Sequence, residues 1–359
     1  MFKKIIALCF MLACSSAFAI CPPTGTGACD VAFDWSKVQL QTTVCQDQIL
    51  TDPIDVLPVH LNETKIRMRV MMNQVGRFDP KVFPGQPNTG HVHTFMGGCG
   101  LNPYTTNIQD VTTSTYQGGA LVKSVFWSPT PIIQYTGEML KHSGTVIYYL
   151  GGSDINDLDL SNPNIFQHIP DGFFMITGSG AVDEISSQTE YATNCFPRAG
   201  SSDTGQYNIG KAIFPDCNEG DGISIKIPYP QCWDGVHLDS SDHKSHVHFK
   251  LTAAQRNALP ADERLANFCP ITHPIRIDSV IAINSWLLPP GYRGNIVKYE
   301  SNVFPHMDYW AHYSNSPTQA ITWKQVLDDC IINPGLSCGV GLLGLSGYKA
   351  KTDFFTVVQ

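Results

Sequence analysis

The chain is 359 residues long, 43% hydrophobic and only 15% charged, with 23 Lys and Arg against 31 Asp and Glu and a formal charge of -8. Ample hydrophobicity with little charge excludes an intrinsically disordered chain, and the missing basic surplus argues against nucleic acid as a partner. Gly (30) and Pro (24) are abundant without a G-X-Y period, which excludes collagen and favours a turn-rich fold.

The first nineteen residues read as a secretory leader. Lys3 and Lys4 form the positive segment, Ile5 to Ala13 the apolar one, and Ala17-Phe18-Ala19 an A-x-A cleavage site, so the mature chain is expected to start at Ile20. Met11-Leu12-Ala13-Cys14 is a weaker, lipoprotein-like alternative. Cleavage after Ala19 removes Cys9 and Cys14 from the 12 cysteines and leaves ten: Cys21, Cys29, Cys45, Cys99, Cys195, Cys217, Cys232, Cys269, Cys330 and Cys338. An even count in an exported chain suits disulfides. Loss of the two lysines takes the charge from -8 to -10. No later stretch has 18 uninterrupted apolar residues, so no transmembrane segment is expected. The localisation implied is extracellular or periplasmic.

Period-two alternation dominates the rest of the chain. Ile66, Met68 and Val70 alternate with Lys65, Arg67 and Arg69, predicting a half-buried strand over Thr64–Met71. Further strands are expected at Ala120–Trp127, Thr145–Leu150, Gly172–Thr177, Gly222–Ile227, His246–Lys250 and Ile275–Leu288, each bounded by turn residues. Ala253–Phe268 holds a helix broken at Pro260. A second helix is predicted from N-cap Ser316 and Pro317 through Ala320, Trp323, Val326, Leu327 and Cys330. The fold class implied is mainly β, with a sandwich-like core, long loops, few short helices and disulfide staples. Gly339-Val340-Gly341-Leu342-Leu343-Gly344 matches G-x-G-x-x-G, but no strand precedes it and only 15 residues remain after it, too few for a βαβ unit.

Histidine carries the chemical signal. His237, His243, His246 and His248 fall within 12 residues, where even spreading of the 12 histidines puts about 0.4. His91-Val92-His93 and His246-Val247-His248 share one string, and on a strand residues i and i+2 face one side, aiming two imidazoles at one centre. Asp234, Asp239 and Asp242 lie close in sequence to complete a metal shell or orient a ring. The same residues with Asp308 suit acid–base catalysis without a metal. Against this, a single H-x-H is more often a hydrogen-bonded strand face, and Asp234-Gly235 has the chemistry of a turn. Trp127, Trp233, Trp286, Trp310 and Tyr309 would be sugar-stacking platforms if exposed, but such residues are more often core.

The succession Phe78-Asp79-Pro80, Pro84-Gly85 and His91-Val92-His93-Thr94-Phe95-Met96-Gly97-Gly98 resembles the opening of the domain of unknown function 1996 family. The resemblance continues through Trp127-Ser128-Pro129, Tyr148-Tyr149, Pro170-Asp171-Gly172-Phe173-Phe174-Met175-Ile176-Thr177-Gly178, Cys232-Trp233-Asp234-Gly235, Leu238-Asp239-Ser240 and Asp242-His243-Lys244-Ser245-His246-Val247. Cys269-Pro270, His273-Pro274 and His306-Met307-Asp308-Tyr309-Trp310 close it. It implies a main domain over 76–312, flanked by the leader (1–19), an extension over 20–75 packing on the core, and a C-terminal helix and tail over 313–359. The family is similar in being secreted and microbial, with some members beside carbohydrate-associated modules, and it implies no particular reaction. Its characteristic polar positions fall on His91, His93, Asp234, Asp239, His243, His246, His306 and Asp308, the candidate catalytic set. His248 departs from the family pattern, which leaves His91, His93 and His246 as the candidate ligands of a divalent metal ion.

The function expected is an enzyme, a hydrolase or lyase, acting on extracellular or envelope polysaccharide through a His/Asp cleft, with a metal as the candidate cofactor. The competing expectation is a non-catalytic module that binds glycan or cell wall, its His/Asp network being structural. A metal-sequestering protein is a third.

Overall fold

A computed structural model describes residues 32–38, 45, 55–60, 63–116, 121–150, 166–178, 192–196, 208–209, 214, 216–260, 269–300, 305–314 and 322–328. The leader, the Ile20 start and the glycine string at 339–344 lie outside them. Strands are numbered in chain order. The larger sheet has seven, in spatial order β1 (Asp55–His60), β2 (Glu63–Val70), β7 (Lys141–Leu150), β16 (Ser279–Leu287), β12 (Gly222–Pro228), β10 (Ala192–Phe196) and β11 (Asn208–Ile209). Five antiparallel strands form a second sheet, ordered β3 (Met72–Gly76), β4 (His93–Gly97), β5 (Val125–Pro129), β18 (His306–Trp310) and β9 (Phe174–Gly178). Smaller sheets join β14 (Val247–His248), β13 (Cys232–Trp233), β15 (Ile275–Ile277) and β8 (Phe166–Gln167), and pair β17 (Val297–Tyr299) with β6 (Pro131–Ile133).

The two large sheets pack face to face because alternation gives each an apolar side. Met96, Phe126, Met175, Met307 and Tyr309 of the five-stranded sheet share one core with Ile147, Tyr149, Ile225 and Ala282 of the other. A polar link crosses this core: Thr145 Oγ1 donates to Asn284 Oδ1 (2.7 Å), and Asn284 Nδ2 donates to Ser128 Oγ (3.0 Å). The chain is thus mainly β and sandwich-like, as its alternation predicts. The opposite face of the five-stranded sheet carries a second, smaller core of Phe95, Val125, Trp127, Phe174 and Trp310, closed over by Phe78, Leu101, Ile108 and Val111. That outer face also presents His93, His306 and Asp308.

Several expected elements are redrawn: the strand expected at Ala120–Trp127 runs over Val125–Pro129, and that expected at His246–Lys250 is only Val247–His248. The run Ile275–Leu288 divides at Asp278, which is fully buried, into β15 and β16 on different sheets. The carboxylate of Asp278 accepts from Ile169 N (2.9 Å) and pairs with His168 Nδ1 (2.8 Å), so a polar anchor turns the chain from one sheet to the other. The late helix α2 (Trp323–Leu327) is capped by Thr322 in a reciprocal box with Gln325, not by Ser316. Thr322 has extended backbone (φ -97°, ψ 156°), so this helix begins after it; the expected start at Ser316 and Pro317 and the expected end at Cys330 lie outside the described residues. The helix α1 (Ala253–Ala258) stops at Leu259, because the residue before Pro260 is driven out of helical geometry.

Three disulfides lie among the described residues: Cys45–Cys99, Cys195–Cys217 and Cys232–Cys269. The last encloses the His/Asp-rich segment. Such bridges are consistent with an oxidising compartment. Among the described residues, no helix is long and apolar enough to cross a membrane.

Candidate functional site

Register places the site. Asp308 lies opposite Trp127, and Phe95 lies opposite Trp127 on the other side. One step along, His93 is opposite Pro129, and extension of the β5–β18 register brings His306 to the other flank of Pro129. His93 and His306 therefore stand two strands apart, about 9.5 Å between backbones. The low Pro129 ring between them lets the imidazoles lean together, to 5.9 Å between centroids.

His91 arrives from a strap before β4. Gly90 turns the strap with φ +76°, its carbonyl accepts from Arg77 (3.1 Å), and Arg77 is ion-paired with Glu300. Glu300 Oε2 accepts from Val92 N (3.0 Å), fixing the peptide between the two histidines. The His91 and His93 centroids are 4.3 Å apart, the same-side arrangement expected of His-x-His. His91 Nε2 and His306 Nε2 are 3.2 Å apart, one donating and one accepting. Donor atoms of His91, His93 and His306 all lie within 4.8 Å of one another.

His93 has its tautomer set. Its Nδ1–H donates to the Phe78 carbonyl (2.9 Å), leaving Nε2 as a bare lone pair. That Nε2 is buried and has no hydrogen-bond partner. Gly76, opposite His93 on β3, makes the arrangement feasible, since a Cβ there would run into the Phe78 ring. Burial first, then His306, push the His93 imidazole down to about 3 against the pull of the Phe78 carbonyl. Burial, then His93 and Arg77, bring His91 down to about 3 as well.

A second triangle shares His93: donor atoms of Asp79, His93 and Asp308 also lie within 4.8 Å of one another. Asp79 is well supplied, accepting from Lys81 N (2.9 Å), Val82 N (2.8 Å) and Trp127 Nε1 (3.0 Å). Asp308 is only 1% exposed, and neither carboxylate oxygen has a hydrogen-bond partner. Burial, with Asp79 second, raises its carboxyl well above the usual range.

The remaining candidates gather on the segment laid along β9, where Phe174 N donates to Leu238 O (2.8 Å) and Ile176 N to His243 O (3.0 Å). Asp239 accepts from His243 Nδ1 (2.7 Å) and pairs with Lys81 Nζ (2.7 Å), which lies 4.9 Å from the Phe174 and Trp310 ring centres. Burial alone would raise the Asp239 carboxyl, but the bonds from His243 and Lys81 outweigh it and lower it. His243 adopts left-handed backbone at φ 59°. Asp234 caps a turn, accepting from Val236 N, His237 N and His237 Nδ1, so the turn chemistry of Asp234-Gly235 is what this residue performs.

His246 does not join the three-histidine group, which is His91, His93 and His306. Its Nδ1 meets Ser240 Oγ (2.8 Å) and its ring packs on Phe173. Nor do His246 and His248 aim at one centre. His246 is buried, whereas His248 is exposed against His273, because β14 is only two residues long and dictates no shared face. Trp127, Trp233, Trp286, Trp310 and Tyr309 are all buried and offer no sugar platform. Sequence reasoning passes over Asp79, although it stands inside the Phe78-Asp79-Pro80 motif; its Asp-Pro string has the look of turn chemistry alone.

Fold and site together define a β-sandwich with a desolvated His/Asp cluster on the outer face of its smaller sheet. A family model described as Domain of unknown function (DUF1996) matches residues 79–312, so the chain belongs to that family. No curated protein and no solved structure matches it.

Proposed function

We propose that the protein is an exported hydrolase or lyase of extracellular or envelope polysaccharide, working through a divalent ion held by His91, His93 and His306. One observation carries the reading: three ring nitrogens converge within 4.8 Å, and the Phe78 carbonyl holds His93 with its Nε2 lone pair buried and unpaired. A carbonyl that accepts from the far ring nitrogen and so fixes the tautomer is the usual support of a metal-binding imidazole. The chemistry such an ion supplies is activation of water for hydrolysis, or polarisation of a substrate carboxylate for elimination. The sequence leader and the disulfides support work outside the cytoplasm, where polysaccharide is an abundant polymer. The glycan-binding alternative loses its best support because the candidate indoles are buried.

Elemental analysis of protein purified from its export route without chelators tests the centre. Near one equivalent of a divalent ion is expected, lost in His93→Ala. Product mass spectrometry across a polysaccharide panel, native against His93→Ala, tests the reaction. Products from both alike, or from neither, would remove the enzyme reading.

A further inference from the structure

His168 stands outside both His/Asp clusters and joins three distant parts of the chain. It follows β8 directly, and its side chain is only 10% exposed. Its Nδ1 is 2.8 Å from Asp278 Oδ1, at the point where the chain passes from β15 to β16. Its Nε2 is 3.0 Å from Asp328 Oδ1, on the residue that closes α2. The helix buries Trp323, Val326 and Leu327, and the Trp323 ring lies 5.1 Å from that of Tyr149 and 6.3 Å from that of Tyr313.

Proton counting gives the charge of this bridge. Ile169 N donates to the other Asp278 oxygen (2.9 Å), and Lys324 Nζ pairs with the other Asp328 oxygen (2.7 Å). Both carboxylates are acceptors, and a neutral imidazole has one N–H to offer the two of them. Only imidazolium donates at both nitrogens. Burial opposes the charge, but attraction and hydrogen bonds from Asp278, then from Asp328, outweigh it and raise the imidazole above its ordinary value. The other groups around the bridge are Arg276, two residues before Asp278, Lys324 on α2, and the Tyr149 and Tyr313 hydroxyls near Asp278. Burial holds both hydroxyls well above the usual range, so they stay neutral while His168 titrates.

We propose that α2 is docked on the sandwich by a pH-operated clasp, in which His168 as imidazolium ties Asp328 to Asp278 and lets go of α2 on losing its proton. Linkage sets the sign. A free imidazole takes up its proton near pH 6.5, and the clasped one keeps it to higher pH. The stabilisation is therefore complete below about 6.5 and is lost as the pH rises through the clasped value. Deprotonation leaves a lone pair facing a carboxylate oxygen. Asp278, fully buried, keeps the remaining N–H, while the partly exposed Asp328 turns to Lys324 and water. The clasp acts whether or not His91, His93 and His306 hold an ion.

The test uses the full-length exported protein with 15N-labelled histidine, the His168 ring signals being those missing from His168→Gln. Both His168 nitrogens should carry protons at neutral pH, and one should lose its proton only above the ordinary histidine range. Hydrogen exchange at the Val326 amide, which donates to Thr322 O inside α2 (3.2 Å), reads the docking. Its protection, corrected for the intrinsic pH dependence of exchange, should fall by about tenfold for each pH unit by which His168 exceeds 6.5. In His168→Gln that protection should be low already at neutral pH and should not change with pH. Asp328→Asn, at a partly exposed position, should move the His168 titration down toward its ordinary value and lower the protection at neutral pH, with the circular dichroism of the sheets unchanged. A His168 ring with a single proton at neutral pH overturns the proposal. So does Val326 protection that is independent of pH in the native protein, or that falls equally in native protein and His168→Gln.

Discussion

The two His/Asp clusters use the same residue types to opposite ends. On the Lys81–Asp239–His243 side every carboxylate is occupied: Asp239 accepts from His243 and Ser240 and pairs with Lys81, while Asp234 takes three donors. On the His93 side the buried polar atoms are left open, with His93 Nε2 and both Asp308 oxygens lacking partners. A network of paired carboxylates fastens a loop; buried polar atoms left unpaired and held rigid are what the proposed ion would occupy. Density of histidine along the chain points to the first cluster. Buried carboxylate oxygens without donors point to the second, although His246 Nε2 in the first also lacks a partner and Asp79 in the second has three donors.

The sharpest way to break this contrast is to truncate one histidine in each cluster. His306→Ala should weaken divalent-ion binding by about 100-fold or more, as expected for losing one of a few ligands, whereas His243→Ala should leave it within about twofold. Calorimetric titration of both variants checks this, and equal losses would merge the two clusters into one site.

Next in size is the staple. The Cys232–Cys269 bridge spans a sequence separation of 37 residues around the satisfied cluster. Replacing both cysteines by serine should cost about 3 kcal/mol in denaturant unfolding. The ion affinity should change little if the His93 centre is independent of that loop.

Acid provides the third comparison, best read at His142, a buried imidazole remote in sequence from either cluster. Burial holds it down to about 3, so it is neutral in the folded state near neutral pH. The unfolded chain takes up this proton near pH 6.5 and the folded one does not, so the contribution is intact above 6.5. It falls by up to about 1.4 kcal/mol per pH unit as the pH drops from 6.5 toward 3. Melts at a series of pH values should show a shallower acid slope for His142→Gln than for native protein. An unchanged slope would remove His142 as a source.

The smallest effect belongs to Lys81. Its pair with Asp239 is partly exposed, so Lys81→Met should cost no more than about 1 kcal/mol and leave ion binding unchanged. A large loss of ion affinity would show that the 79–82 turn couples the clusters.

Much of the fold is legible in the sequence because period-two alternation reports a half-buried strand directly. The switch at Asp278 is not, since an apolar run looks continuous whether or not the chain changes sheets. The pairing of His91 with His93 is legible because i and i+2 share a face on extended backbone. The place of His306 in that group is not: it depends on a register across three strands and on the low profile of Pro129 between them. His246 looks the better partner only because it repeats the string. Asp79 escapes notice because Asp-Pro serves a turn equally well, and here it also serves Trp127.

Pro129 has a consequence for how the cluster can move. His93 and His306 are mounted on strands of one hydrogen-bonded sheet, so the gap between them is a property of the sheet itself and cannot open without shearing β5. His91 is mounted otherwise, on a half-exposed strap tethered through Gly90, Val92 and Glu300. The centre is therefore mechanically lopsided, two jaws of a fixed vice and one of a latch. Exchange of the proposed ion should be governed by the stiffness of the latch, and hydrogen exchange at Val92 is the place to read that stiffness.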